Sequence, residues 1–507
     1  MIYDLREFGR RSQLIADVCV VGSGAGGMTA AMAVAEAGLR VVVIEAGGWV
    51  TPEHVNQREA DMLPLLYWEA AGRTTADRAI RLHQGKGVGG STLHNLNLCK
   101  RIDPKVLASW SGLGRLDAGT WDQLFEEAES LLGVCDVPAE GVNRHNQLLR
   151  QACEKLGWRW SALRHNRAGC VGSGYCELGC AFDAKNNAAK VCLPRAVDSG
   201  ATVVHHAFAV GLDYAAGRIG TVQARSVDDR GDFGDRHLTV QARAFIVAGS
   251  ATGTPALLQR SGVPDPDGQI GRTLRIHPAV VAAGEFDEPV HAWRGIPQTI
   301  ECTEFLRFGP EDGRASPRNI WIVPAFGHPM GTATMLPGHG ALHRQFMLAY
   351  PRLAVFCAML HDGSRGTVSS QGETGVRVDY RLNEMDAHEL AKGLQRLAEG
   401  LFAAGARRVW IPTPEPMALT DPNKLRMLQD LDVTRMGPTA VHPMGSCPMH
   451  DDPKRGAVDS AGRHHHVRNL WIADGSLYPT SIGGPPQLGI YALGLHVGRA
   501  VVEGLRG

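Results

Sequence analysis

The sequence predicts an α/β fold in which a Rossmann-like dinucleotide-binding domain is joined to a discontinuous α+β domain. Three observations predict it. An apolar run at 17–21 leads into Gly22-Ser23-Gly24-Ala25-Gly26-Gly27, an alanine-rich helix follows at 28–37, and a second apolar run at 39–44 ends in Glu45. Strand-like runs that end in glycine return at 243–249 and 470–475, so the same kind of sheet is resumed late in the chain. Between them, from about Ile276 to Pro412, the texture changes to strands mixed with an amphipathic helix at 386–403, where Leu390, Leu394, Leu397 and Leu401 recur at helical spacing. The expected partition is 1–100, 186–275 and 432–507 for the nucleotide domain, 101–185 for a helical and cysteine-bearing segment, and 276–431 for the second domain.

Each part of the first unit has a physical reason. Gly22 permits the tight turn after the strand, Gly24 lets the backbone approach a pyrophosphate, and Gly27 lets the helix pack closely on the strand. The phosphates then meet the free N–H groups and positive dipole end of the helix. Glu45, 18 residues beyond the last glycine, is placed to accept hydrogen bonds from ribose hydroxyls. Ala25, Gly26 and Ala46 complete the expected contact set. The loop alone does not separate one dinucleotide from another.

Composition narrows the partners. The chain has 507 residues, enough for more than one core, with 44% hydrophobic and 21% charged residues. Its 52 basic and 52 acidic side chains cancel, which leaves no global field to steer nucleic acid or an anionic membrane surface. Neither is expected as a partner, and no apolar run is read as a bilayer span. Arg10-Arg11 looks like a twin-arginine signal, but the apolar stretch after it runs into the nucleotide loop, so the expectation is a cytoplasmic protein. Eleven cysteines, an odd number in a long chain, do not read as a secreted disulfide framework.

A second glycine cluster, Gly85-Lys86-Gly87-Val88-Gly89-Gly90-Ser91, leads to His94-Asn95. His442-Pro443-Met444-Gly445-Ser446-Cys447 and the stretch 469–480, with Asp474 and Gly475, follow near the end. With the first loop and Glu45, this set resembles the glucose-methanol-choline (GMC) flavoprotein oxidoreductases along nearly the whole chain. The stretches 170–185, His277-Pro278 and 288–295 are most similar to the branch of fatty-alcohol oxidases and of glucose, fructose and gluconate dehydrogenases. The resemblance implies the GMC (p-hydroxybenzoate-hydroxylase-like) architecture: an FAD-binding domain with an inserted substrate-binding domain. It also implies FAD as cofactor and oxidation of a small-molecule alcohol to a carbonyl by hydride transfer to the flavin, with the protein supplying position and electrostatics.

By the same resemblance, Gly87, Gly90, Ser91, His94 and Asn95 line the flavin, with a covalent link at His94 open. Asp474 and Gly475 form a second FAD contact. His442 matches the active-site histidine, a base for the hydroxyl proton. The position of its usual partner, a second histidine or an asparagine, holds Pro485, which has no side-chain donor and no N–H. Gln487 is the candidate replacement. Pro485, Pro486 and Gln487 open a C-terminal helix at 487–503 whose N-terminus faces the flavin in the family. His464-His465-His466 reads as a solvated turn rather than a metal site.

Four cysteines fall within 23 residues, Cys170, Cys176, Cys180 and Cys192, the first three in a glycine-rich loop. Such a loop can wrap a small iron-sulfur cluster. Zinc and a metal-free loop are the competing readings. The spacing resembles the ligand set of the iron-sulfur dehydrogenases in this branch, which implies a [3Fe-4S] cluster on Cys170, Cys176 and Cys180, and a dehydrogenase that passes electrons to a separate acceptor protein. An oxygen-using alcohol oxidase without the cluster, or an FAD-containing lyase on the same fold, is the alternative.

Overall fold

The computed structural model describes residues 1–308, 318–335 and 338–507. The expected insert therefore includes two short stretches, 309–317 and 336–337, outside the described residues. The first domain is built on a six-stranded sheet in which every neighbour is parallel, ordered Ile2–Asp4, Thr202–His205, Val41–Ile44, Val18–Val21, Ala244–Val247, Leu470–Ile472. Its three central strands are buried at every residue, as short Val- and Ile-rich runs covered on both faces should be. The strands come from all three stretches of chain assigned to this domain. A second sheet joins Ala207–Ala215, Arg218–Val227 and Phe233–Gln241 to Arg11–Ile15. The segment after Arg10-Arg11 is thus an ordinary strand.

The glycine loop opens the helix Ala25–Glu36, three residues earlier than the sequence suggests. A Cβ on Gly22 would collide with the Ala248 carbonyl, on Gly26 with the Ala473 carbonyl, and on Gly27 with the Gly22 carbonyl. The loop is therefore pinned between two neighbouring strand ends, and only glycine fits.

The last helix, Gln487–Arg506, lies against Ala25–Glu36. Gly494 and Gly498 make the contact: a Cβ on Gly494 would sit 2.7 Å from the Gly26 carbonyl oxygen, and one on Gly498 would sit 2.9 Å from the Ala33 Cβ. At 20 residues this helix has the length and apolar composition of a membrane span. That corrects the expectation that no such run exists. Its apolar side chains, among them Leu488, Tyr491, Leu493, Val497 and Val501, are buried in the core of the first domain.

The second domain is a large mostly antiparallel sheet whose long central strands are Ala279–Glu285, Leu353–Leu360 and Arg318–Pro324. One face packs on the amphipathic helix Glu384–Ala403, with Val280, Phe356 and Ala358 against Leu390, Leu394 and Leu397. Two parts of 101–185 belong to this domain. Trp160–Ala162 pairs with Ile300–Cys302, and the helix Arg144–Leu156 buries Leu148, Leu149 and Cys153 in the same core. The boundary differs because that helix is amphipathic, and its apolar stripe needs a sheet to cover.

Substituting Gly498→Val should lower stability by about 1–3 kcal/mol, the usual cost of overpacking a close contact. A reduced Tm with an unchanged far-ultraviolet circular dichroism spectrum is the expected result. An unchanged Tm would show that the two helices can move apart freely.

Candidate functional site

One cavity of about 810 Å³ runs from the glycine loop into the second domain. At the nucleotide end it is lined by Gly22, Gly24, Ala25, Gly26, Glu45, Ala46, Gly90, Ser91, His94 and Asn95, and by Asp474, Gly475, Pro485, Pro486 and Gln487 from the C-terminal stretch. Gly27 and Gly87 stand one layer behind it. The two glycine clusters touch: a Cβ on Gly90, whose φ is +55°, would lie 2.9 Å from the Gly24 Cα.

Glu45 holds this cradle together. One carboxylate oxygen accepts the Ser23 N–H at 3.0 Å and the Ser23 hydroxyl at 2.7 Å; the other accepts the N–H groups of Gly47 at 2.9 Å and Gly87 at 3.3 Å. Four donors fill the lone-pair sites of a carboxylate. A ribose hydroxyl would have to replace one of them, and the rotatable Ser23 hydroxyl is the donor most easily turned away. The buried Asp474 accepts from Thr254 Oγ1 at 2.5 Å and from the Ser476 N–H at 2.8 Å, and burial raises its carboxyl pKa. His83 and His94 both line the cavity, and the buried Nε2 of each has no partner in the protein. Burial holds the pKa of His94 well below the ordinary histidine value. A turn with no room for Cβ atoms, a helix N-terminus and two bare imidazole nitrogens fit a large polar-and-aromatic cofactor.

His442, like Pro485, stands on the cavity wall. Its Nδ1 lies 3.2 Å from Nδ1 of His277, a fully buried ring. His277 entered the sequence analysis only as part of a motif. Its pairing follows from register: Arg275 and Met444 exchange both backbone hydrogen bonds at 2.8 Å, so the residues two along and two back, 277 and 442, stand opposite one another. Burial keeps both histidines neutral, with pKa values well below the ordinary one. Gln487 is already committed. Its Oε1 accepts from Asn95 Nδ2 at 2.6 Å, and its Nε2 donates to the Leu98 carbonyl at 2.6 Å and to Asn166 Oδ1 at 3.2 Å. It clamps the C-terminal helix to the segment 95–98, and both of its N–H groups are taken.

The other half of the cavity is apolar by strand alternation. Ala279, Val281 and Ala283 of one strand, and Leu353, Val355, Cys357 and Met359 of its neighbour, face it together with Trp321 and Phe326.

Two GMC oxidoreductase family profiles match this chain, the N-terminal one at 21–279 and the C-terminal one at 362–494. The chain belongs to the GMC oxidoreductase family. It is 37% identical over 95% of its length to an uncharacterized GMC-type oxidoreductase of Mycobacterium tuberculosis, covering 75% of that protein. It is 29% identical over 97% of its length to a long-chain-alcohol oxidase of Arabidopsis thaliana, covering 69% of it. Among solved structures, pyridoxine 4-oxidase from "Mesorbium loti" superposes with a TM-score of 0.71 at 20% identity, over 96% of this chain and 99% of that one. A formate oxidase of Aspergillus oryzae RIB40 gives 0.69 at 15% identity, over 97% and 98%. These last two likenesses concern the fold. This GMC enzyme is accordingly an FAD-dependent oxidoreductase acting on CH–OH groups.

The cysteine loop of the GMC enzyme packs against the segment 93–95. Lys185, fully buried, donates to the carbonyls of Leu93 at 3.1 Å, Asn95 at 2.5 Å and Cys176 at 2.9 Å, and burial lowers its pKa. Tyr67, whose ring lies 3.9 Å from that of His94, donates to the Glu177 carbonyl. On its outer side the loop meets the 288–295 turn: the Gly295 N–H donates to Gly172, and a Cβ on Gly174 would strike the Trp293 carbonyl. Cys176 is buried and its thiol pKa is pushed up to about 11, with Lys185 opposing the rise; Cys170 and Cys180 are half-buried. The three thiols do not form a single-ion shell. Among the described residues, the one trio with ligand atoms all within 4.8 Å is Asp4, His205 and His206, and Asp4 is already held by Arg6. His466 pairs with Asp267 and His464 is buried under its own turn, so the histidine triplet converges on nothing.

Burial raises the Glu177 carboxyl to about 7 from an ordinary 4.5, against the lowering effect of Lys185. The protonated acid suits the fold, so this contribution to stability is full below about pH 4.5 and is lost as pH rises through about 7. Glu177→Gln should flatten the fall in Tm across that window. An equal fall in the variant would remove Glu177 as its cause.

Proposed function

We propose that this GMC enzyme oxidises an apolar primary or secondary alcohol to its carbonyl. The observation that carries the reading is the cavity: it runs without interruption from the dinucleotide cradle, past His442, to an apolar sheet face. When bound, FAD supplies the hydride acceptor. The chain itself grips the cofactor through the glycine turns, excludes water with the apolar wall of Val281, Val355 and Met359, and offers His442 to the reacting hydroxyl. An aliphatic tail gains about 0.8 kcal/mol for each CH₂ buried against such a wall, so affinity should rise with chain length until the cavity is filled. The named activity of the Arabidopsis relative, a long-chain-alcohol oxidase, supports the same class.

For the electrons we propose a [3Fe-4S] cluster on Cys170, Cys176 and Cys180, leading to an external acceptor protein. One feature supports it: the loop is bound through Lys185 to the carbonyls of Leu93 and Asn95, beside the cavity. The oxidase names among the relatives favour the second reading, direct reoxidation by oxygen.

Anaerobic addition of a long-chain alcohol should bleach the flavin absorbance. Persistence of the oxidised spectrum with all alcohols, alongside turnover of another substrate, would indicate a lyase. His442→Ala should slow bleaching by about 10²–10⁴-fold; an unchanged rate would take His442 out of the reaction. Anaerobically purified protein should contain about three iron atoms and four sulfides per chain. Absence of iron together with peroxide production would replace the cluster with the oxidase reading.

A further inference from the structure

The proton on His442 is set by its neighbours. His277 Nε2 faces two backbone donors, the N–H of Gly483 at 3.1 Å and that of Ile482 at 3.4 Å. A nitrogen that accepts two hydrogen bonds carries no proton, so a neutral His277 carries its proton on Nδ1. That N–H points at Nδ1 of His442, 3.2 Å away. His442 Nδ1 must then be the acceptor, and the single proton of the neutral ring lies on Nε2, the nitrogen left for the cavity.

We propose that His277 is a positioning residue that fixes His442 as an Nε2–H donor, so that the resting site presents a hydrogen bond to the substrate oxygen rather than a basic lone pair. This rests on His442 being the group that meets the substrate. It revises the role expected of His442 from sequence. A ring locked in this tautomer binds an alcohol or alkoxide oxygen as an acceptor and stabilises negative charge developing there. Its Nε2 already carries a proton and has no free lone pair, so it cannot take the hydroxyl proton there; that proton passes to solvent water in the cavity as the hydride leaves the carbon. The reverse tautomer would need a proton on His277 Nε2, where it would face two N–H groups.

The backbone is arranged for the locked state. His277 has φ +50°, a left-handed conformation that is uncommon outside glycine, and the N–H groups of Ile276 and His277 are both held by Asp362, at 3.0 and 3.4 Å. The two N–H donors at 482 and 483 belong to the turn that ends in Pro485. That turn lacks the side chain which a partner of His442 would use, and it acts on His442 through the backbone and His277 instead. The ionisable groups around His277 are His442, His361, Asp362, Arg275 and Tyr380; Asp362 is satisfied by the backbone and by the Tyr380 hydroxyl at 2.7 Å.

Neutron diffraction from crystals of the FAD-loaded protein, grown in deuterated buffer near neutral pH, tests the assignment directly. Deuterium is expected on His277 Nδ1 and His442 Nε2, with none on His442 Nδ1. Density on His442 Nδ1, alone or with Nε2, overturns the proposal, whether or not the enzyme proves to oxidise alcohols. In solution, His277→Leu removes the donor and His277→Asn keeps an N–H within reach. The leucine variant should lose about 10–100-fold in flavin reduction rate, the scale on which orienting partners of functional histidines act. It should also gain an ionisation in its pH profile between 5 and 8, while the asparagine variant keeps the wild-type profile. Equal losses in both folded variants with unaltered pH profiles would count against a positioning role.

Discussion

The carboxylate of Glu45 is the constraint on which the site depends. A buried charge is tolerated only when hydrogen bonds replace the water it has lost, and here the replacements come from three separate turns, at Ser23, Gly47 and Gly87. Satisfying one acid thereby brings the first glycine loop against the second. The approach of Gly24 to Gly90 follows, and so does the shape of the cradle. The C-terminal helix closes it, because Gly494 and Gly498 let that helix lie almost on the backbone of the first.

The same logic extends towards the second domain. Lys185 is a buried cation whose ammonium is held by three carbonyl oxygens from two loops. Gln487 joins a third element to the segment at 95–99. The strip from His94 to Cys99 is thus fixed from both sides by hydrogen-bonded polar groups. Such networks are rigid because each member left unpaired would cost about 1–3 kcal/mol. Rigidity there matches what hydride transfer requires, which is a cofactor and a substrate held at one separation.

The two domains give the cavity walls of different character. The parallel sheet supplies charge, backbone donors and tight turns. The antiparallel sheet supplies an apolar wall by simple alternation, with the helix Glu384–Ala403 covering its other face. His442 lies where the two meet, and its partner His277 is carried on the chain that crosses from one domain to the other.

The sequence by itself determined the nucleotide cradle, because that signal is local. Gly22 to Gly27, the helix after them and Glu45 occupy one strand-turn-helix-strand unit, and the glycines are dictated by collisions within it or with adjacent strand ends. The leucine spacing in 386–403 was legible for the same reason. The pairing of His277 with His442 was not, since it joins residues 165 apart and depends on the register between Arg275 and Met444. Nor was the commitment of Gln487 to Asn95, Leu98 and Asn166, or the membership of Trp160–Ala162 in the second sheet. A residue's type states which hydrogen bonds it can make. Only the tertiary structure decides which of them are already taken, and for His442 it places Nδ1 against His277 and leaves the other ring nitrogen free of that contact.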